Sequence, residues 1–267
     1  MAFLGKILAP VEFSERCAGA VRYAKALAEH FNSELTLLHV VAPAPPELDE
    51  RIYADFISRA ERRLEEFEPA ESGTKPPRRL VVKGDPARKI VQYAQNEHAD
   101  LILMATHGFG PFRSYLLGSN TAKVLHDADV PVWTGVHIAE DSDRMPLPIR
   151  RILCAVDLGP QSWKALAWAA ELQKRFGAEL TILHAMPVAA TRDAAENELG
   201  QLKKQVAAEA NMAIEPGEPP EVICAAAARL RADVLVIGRG SAAGVFGRLR
   251  ANAYGIIRQS PCPVVSV

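Results

Sequence analysis

"ILAPVEFSERCAGAVRYAKALAEHFNSELTLLHVV" (7–41) lies over "ILCAVDLGPQSWKALAWAAELQKRFGAELTILHAM" (152–186) without a gap, at an offset of 145. Ile7 meets Ile152, Val11 meets Val156, and Glu12 meets Asp157. Ala24 meets Ala169, Phe31 meets Phe176, and His39 meets His184. Further on, "ADLILMATHG" (99–108) matches "ADVLVIGRG" (232–240), and "NTAKVLHDADVPV" (120–132) matches "NAYGIIRQSPCPV" (252–264). The 267 residues are therefore two copies of a unit of about 130 residues. That is too long for a solenoid repeat and the size of a domain. Residues 1–138 and 149–267 are the expected domains, with polar, Pro-rich "VHIAEDSDRMPLPIRR" (136–151) between them.

Each copy alternates short apolar strands with helices. In the first, "KILAP" (6–10) reads as a strand, and Ser14 is placed to cap a helix. That helix carries Ala20, Val21, Ala24, Leu27, Ala28 and Phe31 at spacings of three and four. Asn32 and its counterpart Gly177 both suit the left-handed residue that closes a helix. "ELTLLHVV" (34–41) is a second strand. A helix is expected over 48–67, with Ile52, Phe56, Ala60, Leu64 and Phe67 on one side. "RRLVVKG" (78–84) is a third strand, Asp85 and Pro86 open a helix, and "DLILMA" (100–105) is a fourth strand. "SNTAKVLHDA" (119–128) and "VPVWTGV" (130–136) complete the unit as helix and strand. The second copy repeats this order, with only about four residues for its third strand. Near-continuous apolar strands joined by helices imply an α/β fold, a parallel sheet covered on both faces.

Composition narrows the function. A net charge of −1 and a pI near 6.7 point to no nucleic acid and no acidic membrane as partner. Aromatics make up 6% of the chain, too few for a base-stacking surface. Cys17, Cys154, Cys224 and Cys262 are scattered and read as reduced packing thiols. "MAFLGKILAPVEFSE" (1–15) runs straight into a strand pattern, so no secretory leader is expected. No apolar run nears the roughly 18 residues of a membrane span. The expectation is a soluble, cytoplasmic protein.

A doubly wound sheet receives ligands at the carboxyl ends of its strands, where the strand order reverses. The stretch "MATHGFGPFRSYLLGSN" (104–120) occupies such an end. Gly108 lets the backbone approach a ligand, and Gly118-Ser119 opens a helix whose free N–H groups suit an anion. Ser119 adds a hydroxyl, and His107 is either a donor to phosphate or ribose or a turn histidine. The pattern fits a phosphate cradle; it also fits a mobile loop with a Ser-Asn cap. No Walker G-K-[ST] or G-x-S-x-G is present, and "GRGSAA" (238–243) follows a fourth strand rather than a first. His39 and His184, at a repeated strand position, read as packed, hydrogen-bonded rings. Glu12 and Asp157 lack a paired carboxylate in the sequence pattern, so neither a catalytic residue nor a metal ligand is assigned.

"ILAPVEFS" (7–14), "LTLLHVV" (35–41), "GDPARKIVQYAQNEHADLILMATHG" (84–108) and "GSNTAKVLHDADVPV" (118–132) together resemble the universal stress protein family. The resemblance covers nearly the whole chain twice, as in a tandem, two-domain form. It implies two doubly wound domains, each a five-stranded parallel sheet in the order 3-2-1-4-5. It also implies binding of ATP, with Mg accompanying the nucleotide, through G-x2-G-x9-G-[ST] after strand four. In the first copy that pattern falls on Ala105, a departure, and then on Gly108, Gly118 and Ser119 with the spacing of nine kept. Asn120 and Thr121 follow beside the phosphates. Glu12 replaces the family's strand-one Asp; it keeps the charge and adds a methylene. Pro10, Val40 and Met104 match positions lining the nucleoside, Val40 through its backbone. In the second copy Asp157, Gly238, Gly240 and Asn252 keep matching positions, while Arg250-Ala251 replaces Gly118-Ser119. A degenerate phosphate loop is expected there: a solvated basic face beside an altered pocket, with a second site in which arginine side chains attract phosphate as the other reading. The resemblance implies a nucleotide-responsive stress or signalling module whose copies pair through their last strands, with a homodimer and a protein partner as further expectations. A scaffold that binds no nucleotide, and a slow ATPase or self-phosphorylating enzyme, are the other readings.

Overall fold

The computed structural model describes residues 3–45, 49–68, 75–106, 117–135, 147–187, 191–239 and 247–267. Two compact units divide the chain at Met145–Pro146.

In the first unit the strands are β1 (Lys6–Val11), β2 (Glu34–Val41), β3 (Arg78–Lys83), β4 (Leu101–Ala105) and β5 (Val132–Gly135). They lie in the order β3-β2-β1-β4-β5, all parallel. The helices are α1 (Glu15–Phe31), α2 (Glu50–Glu66), α3 (Pro86–Asn96) and α4 (Ser119–Asp127). Right-handed crossovers put α1 and α2 on one face and α3 and α4 on the other. Central strands buried on both faces explain the unbroken apolar runs: Ile7, Leu8, Leu37, Leu38 and Leu101 to Leu103 are fully buried. On α1, Tyr23 packs edge-to-face on Trp133 of β5, with ring centroids 5.3 Å apart.

The second unit contains β6 (Arg151–Ala155), α5 (Ser162–Phe176), β7 (Glu179–Met186), α6 (Arg192–Val206), β8 (Asn211–Pro216), α7 (Pro219–Arg229), β9 (Val234–Ile237), α8 (Gly247–Gln259) and β10 (Val264–Ser266). Its parallel order, β8-β7-β6-β9-β10, is that of the first unit.

Local chemistry sets the element ends. Ser14 caps α1 by accepting from the Cys17 N–H, and Asp85 caps α3 by accepting from the Arg88 N–H. Asn32 and Gly177 close α1 and α5 in the left-handed region, at φ 54° and 62°. Gly84 and Gly217, which follow β3 and β8, have φ 144° and 136°. Each donates its N–H to the end of the neighbouring strand, at Val41 and Met186. A Cβ on Gly217 would lie 2.8 Å from Val222, so both the dihedral and the space require glycine.

Two expectations change. The third strand of the second copy has six residues rather than about four. Its polar pattern hides it, because β8 borders its sheet and only Ile214 is buried. The proposed apolar side of α2 is covered only at its far end: Leu64 is buried, while Ile52 and Phe56 are 50% and 52% exposed. That helix lies over β2 and the border strand β3.

Candidate functional site

The strand order reverses between β1 and β4. The crossover after β1 leads toward β2, and the one after β4 leads toward β5. The connections that leave their carboxyl ends therefore run to opposite faces of the sheet, the place where such folds receive ligands. Pro10, Val40 and Met104 lie near the ends of the three adjacent strands β1, β2 and β4.

At the β1 end the chain turns sharply. Phe13 has φ 67°, and its counterpart Leu158 has φ 59°. Left-handed backbone at a large side chain costs about 1–2 kcal/mol. Its presence in both copies ties the strain to the turn that carries the acid. In the first copy the exposed Glu12 accepts a 2.6 Å hydrogen bond from the Ser14 hydroxyl, while Ser14 also caps α1. In the second, Asp157 accepts from the Ser162 hydroxyl and from the Gly159 N–H. Each carboxylate is thus held in place by the start of the following helix. Ser14 was readable as a cap but not as the acid's partner. Ser162 occupies the place of Cys17, so the repeat pattern gave no signal for it.

At the β4 end, Ala105 and the buried Thr106 precede the loop, and Gly118 closes it. The Gly118 N–H donates to the Thr106 carbonyl at 2.9 Å, which pins the two ends of the loop together. His107 and Gly108 lie outside the described residues. Gly118 is the N-cap of α4 and offers no side chain to its first turn. The N–H groups of that turn precede the first intrahelical bond, Ala122 to Gly118, and so remain available to an anion. Ser119 and Asn120 are exposed there. Thr121 is buried, and its hydroxyl donates to the Ala105 carbonyl at 3.1 Å, which lashes α4 to the end of β4.

The second copy is rebuilt at this joint. Helix α8 begins at Gly247, four residues before the point that alignment with α4 sets. Arg250 and Asn252 consequently lie inside a helix, and the Asn252 N–H falls within the i to i−4 ladder. Among the described residues nothing stands within 4 Å of a Cβ placed on Gly238. Its neighbour Arg239 donates its N–H to the Val267 carbonyl. Gly240 lies outside the described residues, as does the Arg250 side chain.

The model of the universal stress protein family matches residues 4–134 and again 148–267. The chain belongs to the universal stress protein family. A universal stress protein of Thermus aquaticus is 36% identical over 129 residues, 47% of this chain and 94% of that protein. One from Methanocaldococcus jannaschii is 28% identical over 149 residues, 48% of this chain and 91% of that protein. Each matches about half of this chain, the length of one copy. The crystal structure of a universal stress protein from Archaeoglobus fulgidus gives a TM-score of 0.70 at 24% identity, covering 99% of this chain and 96% of that one. That likeness is one of fold.

The rest of the site is quiet chemically. His39 and His184 each set Nδ1 against a backbone carbonyl, Val11 at 2.7 Å and Val156 at 2.9 Å. Both are packed rings, as their strand positions suggested. Burial pushes the Cys17 and Cys224 thiols up to about 11, and those of Cys154 and Cys262 to about 12. None is a ready nucleophile. Among the described residues no cluster of three His, Cys, Asp or Glu side chains could hold a metal, and no helix is long and apolar enough to cross a membrane.

Proposed function

We propose that the first copy of this universal stress protein binds an adenine nucleotide, ATP with Mg as the leading case, and that the protein is a nucleotide-responsive stress or signalling module. One observation carries the reading. The uncapped first turn of α4 is tied through Gly118 to the end of β4, the strand that pairs with β1, whose end leads into Glu12. Gly118, Ser119 and Asn120 hold the phosphates, with Gly108 and His107 contributing from the loop. Glu12, Pro10, Met104 and the Val40 backbone receive the nucleoside, and Ala105 and Thr121 hold the joint. In the second copy Arg250 and Asn252 lie within α8 rather than ahead of its first turn, which supports assigning the nucleotide to the first copy. Unpaired thiols at all four cysteines support a reducing, cytoplasmic setting for this reading.

Calorimetric titration with ATP and Mg tests it. The expected result is one site per chain, with Gly118→Asp weakening binding by at least ~100-fold, because the new carboxylate faces the triphosphate. Asp also caps helices well, so the variant keeps its thermal stability. No heat of binding in the wild-type protein overturns the reading and leaves the interaction scaffold. Incubation with labelled ATP reports turnover or phosphate transfer, the mark of the enzyme reading.

A further inference from the structure

A groove of about 320 Å³ opens beside the end of β2, between the 42–45 segment and α2. Its walls include Val41, Pro43, Pro45, Tyr53, Phe56 and His39. Its size is at the lower end of small-molecule sites, and among the described residues no Lys, Arg, Asp or Glu lines it. The Tyr53 hydroxyl is already engaged, donating to the Ala42 carbonyl at 3.0 Å, so Tyr53 offers its ring, with Lys83 Nζ 5.1 Å from the ring centroid. Phe56 is a half-exposed phenyl group at the rim.

His39 supplies the directional group. A carbonyl only accepts, so the 2.7 Å contact with Val11 puts the proton on Nδ1. The ring is clamped by Phe13 at 4.5 Å between centroids, and the Arg63 guanidinium lies 4.4 Å from the Phe13 centroid. Burial first, then the Arg63 charge, hold His39 below its ordinary value, partly offset by the Val11 bond, so the ring is neutral at pH 7. Nε2 is then a lone-pair acceptor on the ring edge away from Val11.

We propose that this groove is a second small-molecule site, for a flat, uncharged aromatic ligand whose single N–H or O–H donates to Nε2 of His39. The occupant is uncharged because none of the lining side chains is charged, flat because prolines and aromatic rings form the walls, and a donor because the one free side-chain polar atom among the lining residues accepts. The site is separate from the one proposed for the nucleotide. His39 and Val41 point to the face of β2 opposite Val40, and none of the residues assigned to the nucleotide lines the groove. The fold does not require it either. The second copy keeps the histidine–carbonyl bond at His184, yet it has Leu158 in place of Phe13, and the residues α6 buries are Ala195 and Leu199.

Ligand-observed NMR titration of the full chain with indole tests the proposal, with N-methylindole as the partner lacking a donor. Indole is expected to bind with a dissociation constant on the order of 1 mM or tighter. N-methylindole is expected to bind about tenfold more weakly, the effect of one lost hydrogen bond. Phe56→Ser, at an exposed position that folding tolerates, weakens indole about fivefold. Saturating ATP leaves indole bound, whether or not ATP itself binds. Equal affinity for the two indoles overturns the donor–acceptor match. Displacement of indole by ATP makes the groove part of the nucleotide pocket and overturns the second site. Absence of binding at several millimolar indole overturns the proposal outright.

Discussion

In the first copy the chain leaves β4 at Ala105, returns at Gly118 and becomes helical at Ser119; in the second it leaves β9 at Ile237 and is already helical at Gly247. The sheets behind these joints have the same order and the same parallel pairing. The acid after the first strand, the left-handed residue beside it and the histidine on the second strand are all kept. The two copies thus share the sheet order and the turn that carries the acid, and differ at the start of the helix that follows the fourth strand. A helix start is a functional group in its own right, and a shift of four residues moves its free N–H groups to a different place in the chain.

The strongest way to break this comparison is to restore the glycine end of the loop in the second copy. Arg250→Gly with Ala251→Ser recreates the Gly-Ser pair in sequence but inside α8. Calorimetry is expected to find no second ATP site in that variant, against the loss of at least ~100-fold that Gly118→Asp causes in the first copy. A stoichiometry of two would show that residue identity rather than helix position separates the copies.

The copies also differ in how they end their second helix. Helix α2 closes on Arg79, a largely buried guanidinium that donates to the carbonyls of Leu64, Phe67 and Glu68. Helix α6 closes on itself, with Ala207 at φ 52° donating to the Lys203 and Lys204 carbonyls. Arg79→Ala is expected to destabilise the first unit by about 2 kcal/mol, since hydrogen bonds to a charged group are lost. Arg79→Lys restores little, having no fork to span the acceptors. Denaturant midpoints check both.

A smaller contrast lies at the first helix of each copy. Ser14 caps α1 and steadies Glu12, whereas Gln161 at the start of α5 makes no capping bond. Ser14→Ala is expected to cost about 1 kcal/mol and Gln161→Ala close to nothing. Equal costs in thermal melts would mean that the capping bond of Ser14 contributes no net stability.

Most of the fold was legible because it follows from repetition and period. The gapless match of 7–41 with 152–186 showed two units, and the strand–helix alternation showed the parallel sheets. The apolar face of α2 misled for a physical reason: periodicity reports which residues share a side, not whether that side is covered, so Ile52 and Phe56 read as core. The candidate site was legible where it rests on residue type, as at Glu12 and Gly118. It was hidden where it rests on geometry. Neither the early start of α8 nor the Ser162 hydroxyl on Asp157 has a signal in the repeat, because aligned residues need not keep their place along a helix.

The finest contrast is electrostatic, and it concerns His39. Its ring is held below the ordinary value of 6.5 chiefly by burial, with the Arg63 charge adding to it and the Val11 carbonyl opposing. The unfolded chain then binds a proton that the folded chain resists. The stabilisation associated with the neutral ring is complete above about pH 6.5 and is lost as the pH falls toward the folded-state value. Following the His39 ring protons by NMR from neutral to acid pH should give a midpoint below 6.5. Arg63→Gln removes the nearby cation and is expected to raise that midpoint by a small amount, leaving the burial effect in place. A wild-type midpoint at or above 6.5 would mean that the ring is more open to water than its packing against Phe13 indicates.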